Sequence, residues 1–186
     1  MFRFSISQID ELHKKGKPFF VTFMTASDHG PYYIPDYFHP KSKEIKNQIV
    51  EYADWSLKKF IELSSKQKWF NNTIFVFVAD HGAPISSTYE IPLAYFHSPF
   101  IIYAPMIITS SIQYKEIGSQ IDISPTIMGL IKQPYINNTL GIDLLRKKRK
   151  YAIINNDDKI GILDTSHFCI MGKEDVNLYK YKNLDK

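Results

Sequence analysis

Residues 74–82 read IFVFVADHG, an uninterrupted apolar run that passes directly into an Asp-His-Gly tripeptide. An unbroken run of Val, Ile and Phe is typical of a strand that is buried on both faces, as in a parallel sheet. Residues 18–25 (PFFVTFMT) have the same character and lead into a second Asp-His-Gly at residues 28–30. The sequence therefore predicts two buried strands that each end close to Asp-His-Gly.

The stretch between these strands predicts a helix. From Ile45 to Ile61 apolar residues recur at helical spacing with charged residues between them, the pattern of an amphipathic helix. A strand, a helix and a second strand form a parallel crossover unit. Residues 100–104 (FIIYA) predict another strand, while Ser124 and Pro125 are the predicted N-cap and first residue of another helix. We therefore expect an α/β fold with a doubly wound, mostly parallel sheet.

The C-terminal part of the chain has a different pattern. Three short apolar segments, separated by turn residues, follow a basic run, at residues 151–154, 159–163 and 167–171. They predict a small antiparallel meander. We divide the chain into an α/β part at residues 1–145 and a basic turn with an antiparallel extension at residues 146–186. The basic run at residues 146–150 has two interpretations, a patch that attracts anionic lipid or polymer and a solvated turn.

Composition limits the class of protein. The 186 residues suffice for one domain, or one domain with a small appendage, at about 150 residues per domain. Hydrophobic and charged fractions of 44% and 23% exclude disordered and coiled-coil classes, and a net charge of +4 is too small to indicate nucleic acid as a partner. The single cysteine, Cys169, excludes an internal disulfide. No apolar run approaches the roughly 18 residues of a membrane span, so the chain as given is predicted to be soluble.

The two Asp-His-Gly turns are the candidate site. The carboxyl ends of parallel strands meet at one edge of a sheet, so Asp28, His29, Asp80 and His81 can converge. A carboxylate oxygen beside an imidazole nitrogen suits zinc or manganese better than calcium. In the alternative interpretation each histidine only caps the end of a strand.

His97 and Asp122 are further candidates for the same site. His97 can reach it if the connection at residues 82–96 folds back over the edge, and it is otherwise an ordinary loop histidine. Asp122 precedes a predicted helix and is interpreted as its cap. No residue is identified as a nucleophile, because the chain has no Gly-x-Ser-x-Gly elbow and no phosphate-binding loop, and Cys169 has no paired histidine.

Five motifs in this order resemble a known family, at residues 29–31 (HGP), 74–82 (IFVFVADHG), 97–105 (HSPFIIYAP), 119–131 (SQIDISPTIMGLI) and 140–145 (LGIDLL). Together they are similar to the C-terminal part of a sulfatase-type catalytic domain of the alkaline phosphatase superfamily. Within that superfamily they most resemble the lipoteichoic acid synthases and related phosphoglycerol or phosphoethanolamine transferases of the cell envelope.

The resemblance implies roles for four residues. Asp80 and His81 match the ligands of the catalytic divalent metal, manganese or zinc, with magnesium or calcium as alternatives. His29 matches a histidine that contacts the transferred group or the acceptor. His97 matches a histidine beside a second metal or the substrate anion. The implied substrate is an anionic phosphate or sulfate ester on a lipid head group or a glycan. Many relatives have Asn or Ser at the position of Asp28, so the resemblance assigns it no metal role.

The resemblance also implies what other parts of such an enzyme supply. In relatives the nucleophile that attacks phosphorus or sulfur is a Thr or Ser, or formylglycine in true sulfatases. This nucleophile and an acidic metal ligand lie upstream of the matched motifs. Nothing before Phe19 in this sequence matches either residue. We therefore expect a fragment that is inactive alone, that needs the N-terminal half of the catalytic domain as its partner, and that self-associates. Intact relatives are membrane-anchored, with the catalytic domain outside the cytoplasm. The alternative is a noncatalytic module that retains the fold and binds a glycan, a lipid head group or a partner chain.

Overall fold

The computed structural model describes residues 2–26, 28–83 and 89–180. The chain divides into two compact units. The first comprises Met1–Ile74 and Ala104–Thr109, and the second comprises Phe75–Tyr103 and Ser110–Lys186.

The first unit is built on two helices, α1 (Phe2–Lys14) and α2 (Ile45–Ser64), which pack against each other. α2 is the predicted amphipathic helix, and it buries Ile49 and Phe60. α1 was not predicted from the sequence. The Phe2 ring of α1 lies 5.0 Å from the Phe60 ring between centroids, and this aromatic contact ties the two helices together.

The predicted strand at residues 18–25 is not confirmed. Its side chains alternate as they would in a strand, since Phe19 and Val21 are half-buried whereas Phe20 and Met24 are 91% and 89% exposed. No described residue pairs with this backbone in a sheet. The apolar alternation expected of a strand is therefore present, but among the described residues no strand pairs with it.

The second unit begins with β1 (Phe75–Val78) and β2 (Phe100–Tyr103), both at predicted positions. They pair antiparallel, with Phe75 opposite Tyr103 and Val78 opposite Phe100, so the predicted mostly parallel sheet is not confirmed here. The reason lies in the connection, where the only described helix is α3 (Leu93–Phe96), of four residues. A parallel pair needs a crossover that spans the sheet, whereas an antiparallel pair needs only a return at the same end.

The C-terminal segments form a four-stranded antiparallel sheet in the order in which they occur in the sequence. Its strands are β3 (Ala152–Asn156), β4 (Lys159–Leu163), β5 (His167–Met171) and β6 (Val176–Lys180). One face of the sheet packs Phe168 and Ile170 against Ile91 of the β1–β2 connection. A Cβ atom at Gly161 would lie 2.7 Å from the Phe168 ring, so this contact requires glycine. The meander has the predicted form, with β6 added.

Helix α4 (Ile123–Ile131) begins differently from the prediction. Ser124 is not its cap, because a 3-10 turn (Gln120–Asp122) precedes the helix. The Ser119 N–H donates to Asp122 Oδ2 at 2.9 Å, and the Asp122 N–H donates to the Ser119 carbonyl at 2.8 Å. Asp122 is the residue before α4, as expected of a cap, but its side chain makes no cap hydrogen bond to α4. It closes the preceding 3-10 turn instead, through the Ser119 N–H.

Asp122 also forms a buried ion pair. Its side chain is fully buried and accepts hydrogen bonds from Arg149 Nε at 2.7 Å and Nη2 at 2.5 Å, and from the Ile142 N–H at 2.8 Å. The Arg149 side chain is only 13% exposed. The interpretation of residues 146–150 as a solvated turn is therefore wrong at Arg149, whereas Lys148 forms an exposed ion pair with Glu116.

The ion pair affects the titration of Asp122. Burial by itself raises the pKa of Asp122, but hydrogen bonds from Arg149, Ile142 and Ser119 outweigh it and hold that pKa below its ordinary 3.8. A carboxyl with a lowered folded-state pKa stabilises the fold above its ordinary pKa. That stability is lost as the pH falls through the folded-state value.

Replacing Asp122 by Asn should destabilise the second unit by about 3–5 kcal/mol, because it leaves Arg149 buried without a carboxylate. Urea unfolding at pH 7 measures this change. Glu116→Gln, which breaks the exposed pair with Lys148, is the matched control and should cost less than about 1 kcal/mol. Equal small losses in both variants would contradict a stabilising role for the buried pair, as would an unchanged acid-unfolding profile below pH 3.8 in Asp122→Asn.

Candidate metal centre at the Asp-His-Gly turn

The turn after β1 presents a carboxylate and an imidazole side by side. The Ala79 N–H still donates to the Pro99 carbonyl at 3.3 Å, and the chain leaves the strand pair directly after it. The side chains of Asp80 and His81 are 81% and 40% exposed. Both are therefore accessible to an ion from solvent.

The two side chains are held in a defined geometry. The His81 N–H donates to Asp80 Oδ1 at 2.9 Å, and Asp80 Oδ2 lies 3.6 Å from His81 Nε2. His81 Nδ1 lies 2.8 Å from the Gly82 carbonyl oxygen. A carbonyl only accepts, so Nδ1 carries the proton in the neutral ring and Nε2 has a free lone pair. The Gly82 contact therefore selects the tautomer that can bind a metal through Nε2.

This pair fits two positions of a metal site. Two ligands that each lie about 2.1 Å from a tetrahedral ion are about 3.4 Å apart, close to the spacing of Asp80 Oδ2 and His81 Nε2. Within the described ranges, no group of three or more His, Cys, Asp or Glu side chains is placed to hold an ion. A firm site has three or four protein ligands, so the pair fits part of such a site.

Three neighbours fix the turn. The Tyr95 ring stacks on the His81 ring at 4.4 Å between centroids and 24° between planes, and the Gly82 N–H donates to the Tyr95 carbonyl at 2.7 Å. Gln120 Nε2 donates to the Asp80 carbonyl at 2.7 Å. A Cβ atom at Gly82 would lie 2.2 Å from the Ala94 carbonyl oxygen, so this close approach requires glycine.

His97 follows α3 and returns to the same turn. Its carbonyl oxygen lies 3.3 Å from the position of a Cβ atom on Gly82, so the connection folds back toward the edge as a site role would require. The His97 side chain is exposed. Residues 84–88 of this connection, which include Ser86, lie outside the described residues. A role for His97 toward metal or substrate stays a prediction.

His29 belongs to the first unit. It is exposed in a turn, and its N–H donates to the Ala26 carbonyl at 3.2 Å. Asp28 beside it is also exposed, and Ser27 lies outside the described residues. The convergence of this turn with Asp80 and His81 stays a prediction.

Sequence reasoning missed the residues that hold the turn. Gln120 lies in the SQID motif at residues 119–122, just ahead of the predicted helix. An amide side chain at that position could have been noticed as a hydrogen-bond donor. Tyr95 had no signal beyond its aromatic character, because a stacking partner 14 positions away is set by the tertiary fold.

The sulfatase family profile matches residues 1–133. The chain belongs to the sulfatase family. It is also similar to the lipoteichoic acid synthase-like protein YvgJ of Bacillus subtilis (strain 168), with 28% identity over 166 residues, covering 75% of this chain and 27% of the relative. The chain thus spans about a quarter of that curated relative.

A solved structure in the alkaline phosphatase superfamily, from Vibrio parahaemolyticus, is similar with a TM-score of 0.85 and 27% identity. The match covers 97% of this chain and 46% of that one. Sulfatase membership and this likeness confirm the predicted resemblance and the α/β class. None of the helices among the described residues combines the length and the hydropathy of a membrane span.

The two Asp-His-Gly glycines provide a matched test of the turn. Gly82→Ala should destabilise the second unit by about 1–3 kcal/mol and shift the His81 imidazole resonances, because the new methyl group overlaps the Ala94 carbonyl. Gly30→Ala is the control, since nothing lies within 4 Å of a Cβ atom there. Thermal unfolding and histidine-selective NMR measure both effects. Similar behaviour of the two variants would refute the close packing at Gly82.

Proposed function

We propose that this chain is part of a divalent-metal-dependent enzyme that transfers or hydrolyses phosphate or sulfate esters. The observation that carries the proposal is the Asp80 and His81 pair, with Oδ2 and Nε2 3.6 Å apart at the end of β1. A carboxylate and a neutral imidazole form a donor set that suits manganese or zinc. Similarity to a lipoteichoic acid synthase-like protein favours transfer of a phosphoglycerol or phosphoethanolamine group over sulfate hydrolysis.

Each proposed site residue has a chemical task. Asp80 and His81 bind the metal and hold its position relative to the strand end. A bound divalent ion acts as a Lewis acid that activates a hydroxyl nucleophile and offsets charge on the nonbridging oxygens. His29 and His97 donate hydrogen bonds to the substrate anion and exchange protons near neutral pH. This assigns metal binding to one turn and substrate contact to two histidines.

The nucleophile and the remaining metal ligands are proposed to come from the N-terminal half of the catalytic domain. Two observations support this division. The described residues supply two ligands where a firm site needs three or four. The chain also aligns with less than half of its structural neighbour. Exposed Phe20 and Met24 offer apolar surface for that half or, in its absence, for self-association.

The substrate is proposed to be an anionic lipid head group or glycan that carries the ester, encountered outside the cytoplasm. Histidines at the site complement such an anion, and the chain as a whole carries a net charge of +4. Its mild positive charge does not repel the anion.

The metal assignment is tested on the chain itself. Zinc or manganese should bind weakly, and Asp80→Ala or His81→Ala should remove most of that binding because each leaves a single ligand. His13→Ala, at an exposed position in α1, is the control and should bind as the unsubstituted chain does. Calorimetric titration at neutral pH measures all four proteins. Equal binding in every variant would overturn the assignment.

The division of labour is tested by reconstitution. The chain alone should hydrolyse aryl phosphate, phosphodiester and sulfate esters at background rates, because it lacks a recognised nucleophile. Fusion to the upstream half of a close relative should restore turnover that depends on added metal. In that hybrid His29→Ala should lower turnover by roughly 10²–10⁴-fold while metal affinity changes little, as expected for an acid-base or substrate-contacting group.

Two outcomes would contradict this division. Robust turnover by the unfused chain would mean that it contains a nucleophile. A hybrid that folds and binds metal yet stays inactive would favour the noncatalytic binding module.

A further inference from the structure

We propose that Gln120 is a positioning residue for the metal-binding turn, and that its amide sets the metal affinity of Asp80 and His81 without touching the ion. The inference rests on the proposed function, since it assigns a role toward the same turn. Gln120 lies 40 positions from Asp80 in the sequence, so only the folded chain brings the two together.

The contacts of Gln120 converge on the backbone at the end of β1. Its Nε2 donates to the Asp80 carbonyl at 2.7 Å and to the Ala79 carbonyl at 3.1 Å, and it lies 3.4 Å from Ser98 Oγ. A side-chain amide has two N–H donors, so both carbonyls can be satisfied at once. These carbonyls follow the last strand hydrogen bond, from Ala79 to Pro99. Gln120 therefore extends the fixed backbone past the strand and into the turn.

The amide is itself held in place. Gln120 is the first residue of the 3-10 turn whose last residue, Asp122, accepts the Ser119 N–H. Asp122 is anchored in turn by Arg149, and both side chains are largely buried. Arg149 is thus connected to Asp80 through hydrogen bonds at Asp122 and Gln120 and through the backbone of the 3-10 turn between them. Because the backbone at Gln120 is already held, its amide contacts tie the Asp80 carbonyl to a fixed part of the chain and restrain the turn.

This restraint bears on metal binding rather than on folding alone. Asp80 and His81 are adjacent in sequence, and the spacing of Oδ2 and Nε2 depends on the backbone angles between them. Tyr95 fixes the imidazole by stacking, whereas Gln120 fixes the carbonyl of Asp80 itself. Groups that orient metal ligands typically change metal affinity by roughly 10–100-fold when they are removed.

The test uses the full chain and zinc as the probe. Gln120→Met keeps the length of the side chain and removes its N–H donors, and Gln113→Met, in the same connection, is the matched control. Zinc titrations at neutral pH, followed through the His81 imidazole by ¹⁵N–¹H NMR, should show affinity weakened by roughly 10-fold in Gln120→Met and unchanged in Gln113→Met. The unfolding midpoint of Gln120→Met should stay close to that of the unsubstituted chain, since Gln120 is exposed.

A second variant separates positioning from stability. Gln120→Asn retains the amide but is one methylene shorter, so it can reach one carbonyl at most and should give an intermediate loss of zinc affinity. Zinc affinity should fall from the unsubstituted chain to Gln120→Asn and again to Gln120→Met, while the unfolding midpoints stay constant. That order supports a role of Gln120 in positioning the turn.

Two results would overturn the inference. In the first, Gln120→Met binds zinc within about twofold of the unsubstituted chain while Asp80→Ala abolishes binding. This result would leave the proposed function intact. The other is zinc binding that survives Asp80→Ala unchanged, which overturns the proposed function together with this inference.

Discussion

The second unit depends on a charged group that has no access to water. Transferring a carboxylate from water into a protein interior costs several kcal/mol unless its oxygens are fully paired. Asp122 meets this condition through the N–H groups of Ser119 and Ile142 and two donors of Arg149. These partners come from three separate stretches of the chain, so a single side chain holds the start of α4, the loop that follows this helix and the basic run together.

Close backbone contacts reinforce the same junction. The Leu144 N–H donates to Thr126 Oγ1 at 3.1 Å, which joins α4 to the loop that follows it. A Cβ atom at Gly141 would lie 2.0 Å from the Ile121 carbonyl oxygen, so the loop approaches the 3-10 turn more closely than another residue would allow. These contacts hold the backbone of the 3-10 turn at Gln120. The Gln120 side chain in turn donates to the Asp80 carbonyl.

The two Asp-His-Gly motifs show how context decides chemistry. Around Gly82 the backbone of α3 is in contact, a ring stacks on His81 and a carbonyl selects its tautomer. Around Gly30 nothing lies within 4 Å of a Cβ atom, and His29 is exposed. The proposed tasks of the two histidines follow this difference, because a metal ligand needs a fixed lone pair whereas a group that contacts substrate can adjust when the substrate binds.

The sequence by itself determined the features that depend on local pattern. Apolar spacing predicted α2, and apolar runs predicted β1, β2 and the C-terminal meander. An element buried on one face has apolar residues at regular intervals, and a strand buried on both faces has a continuous apolar run. The five motifs between residues 29 and 145, taken in order, predicted membership of the sulfatase family. The helix α1 was missed although it is local.

Tertiary structure decided the features that depend on which stretches meet. An apolar strand has the same pattern in either direction, so only the β1–β2 connection could show that the pair is antiparallel. A run of basic residues does not show which of its side chains is buried. Arg149 differs from its neighbours because it pairs with Asp122, 27 positions away. The contacts of Gln120 and Tyr95 with the Asp80–His81 turn arise in the same way, because hydrogen bonds and ring stacking depend on distances in space that the order of residues does not contain.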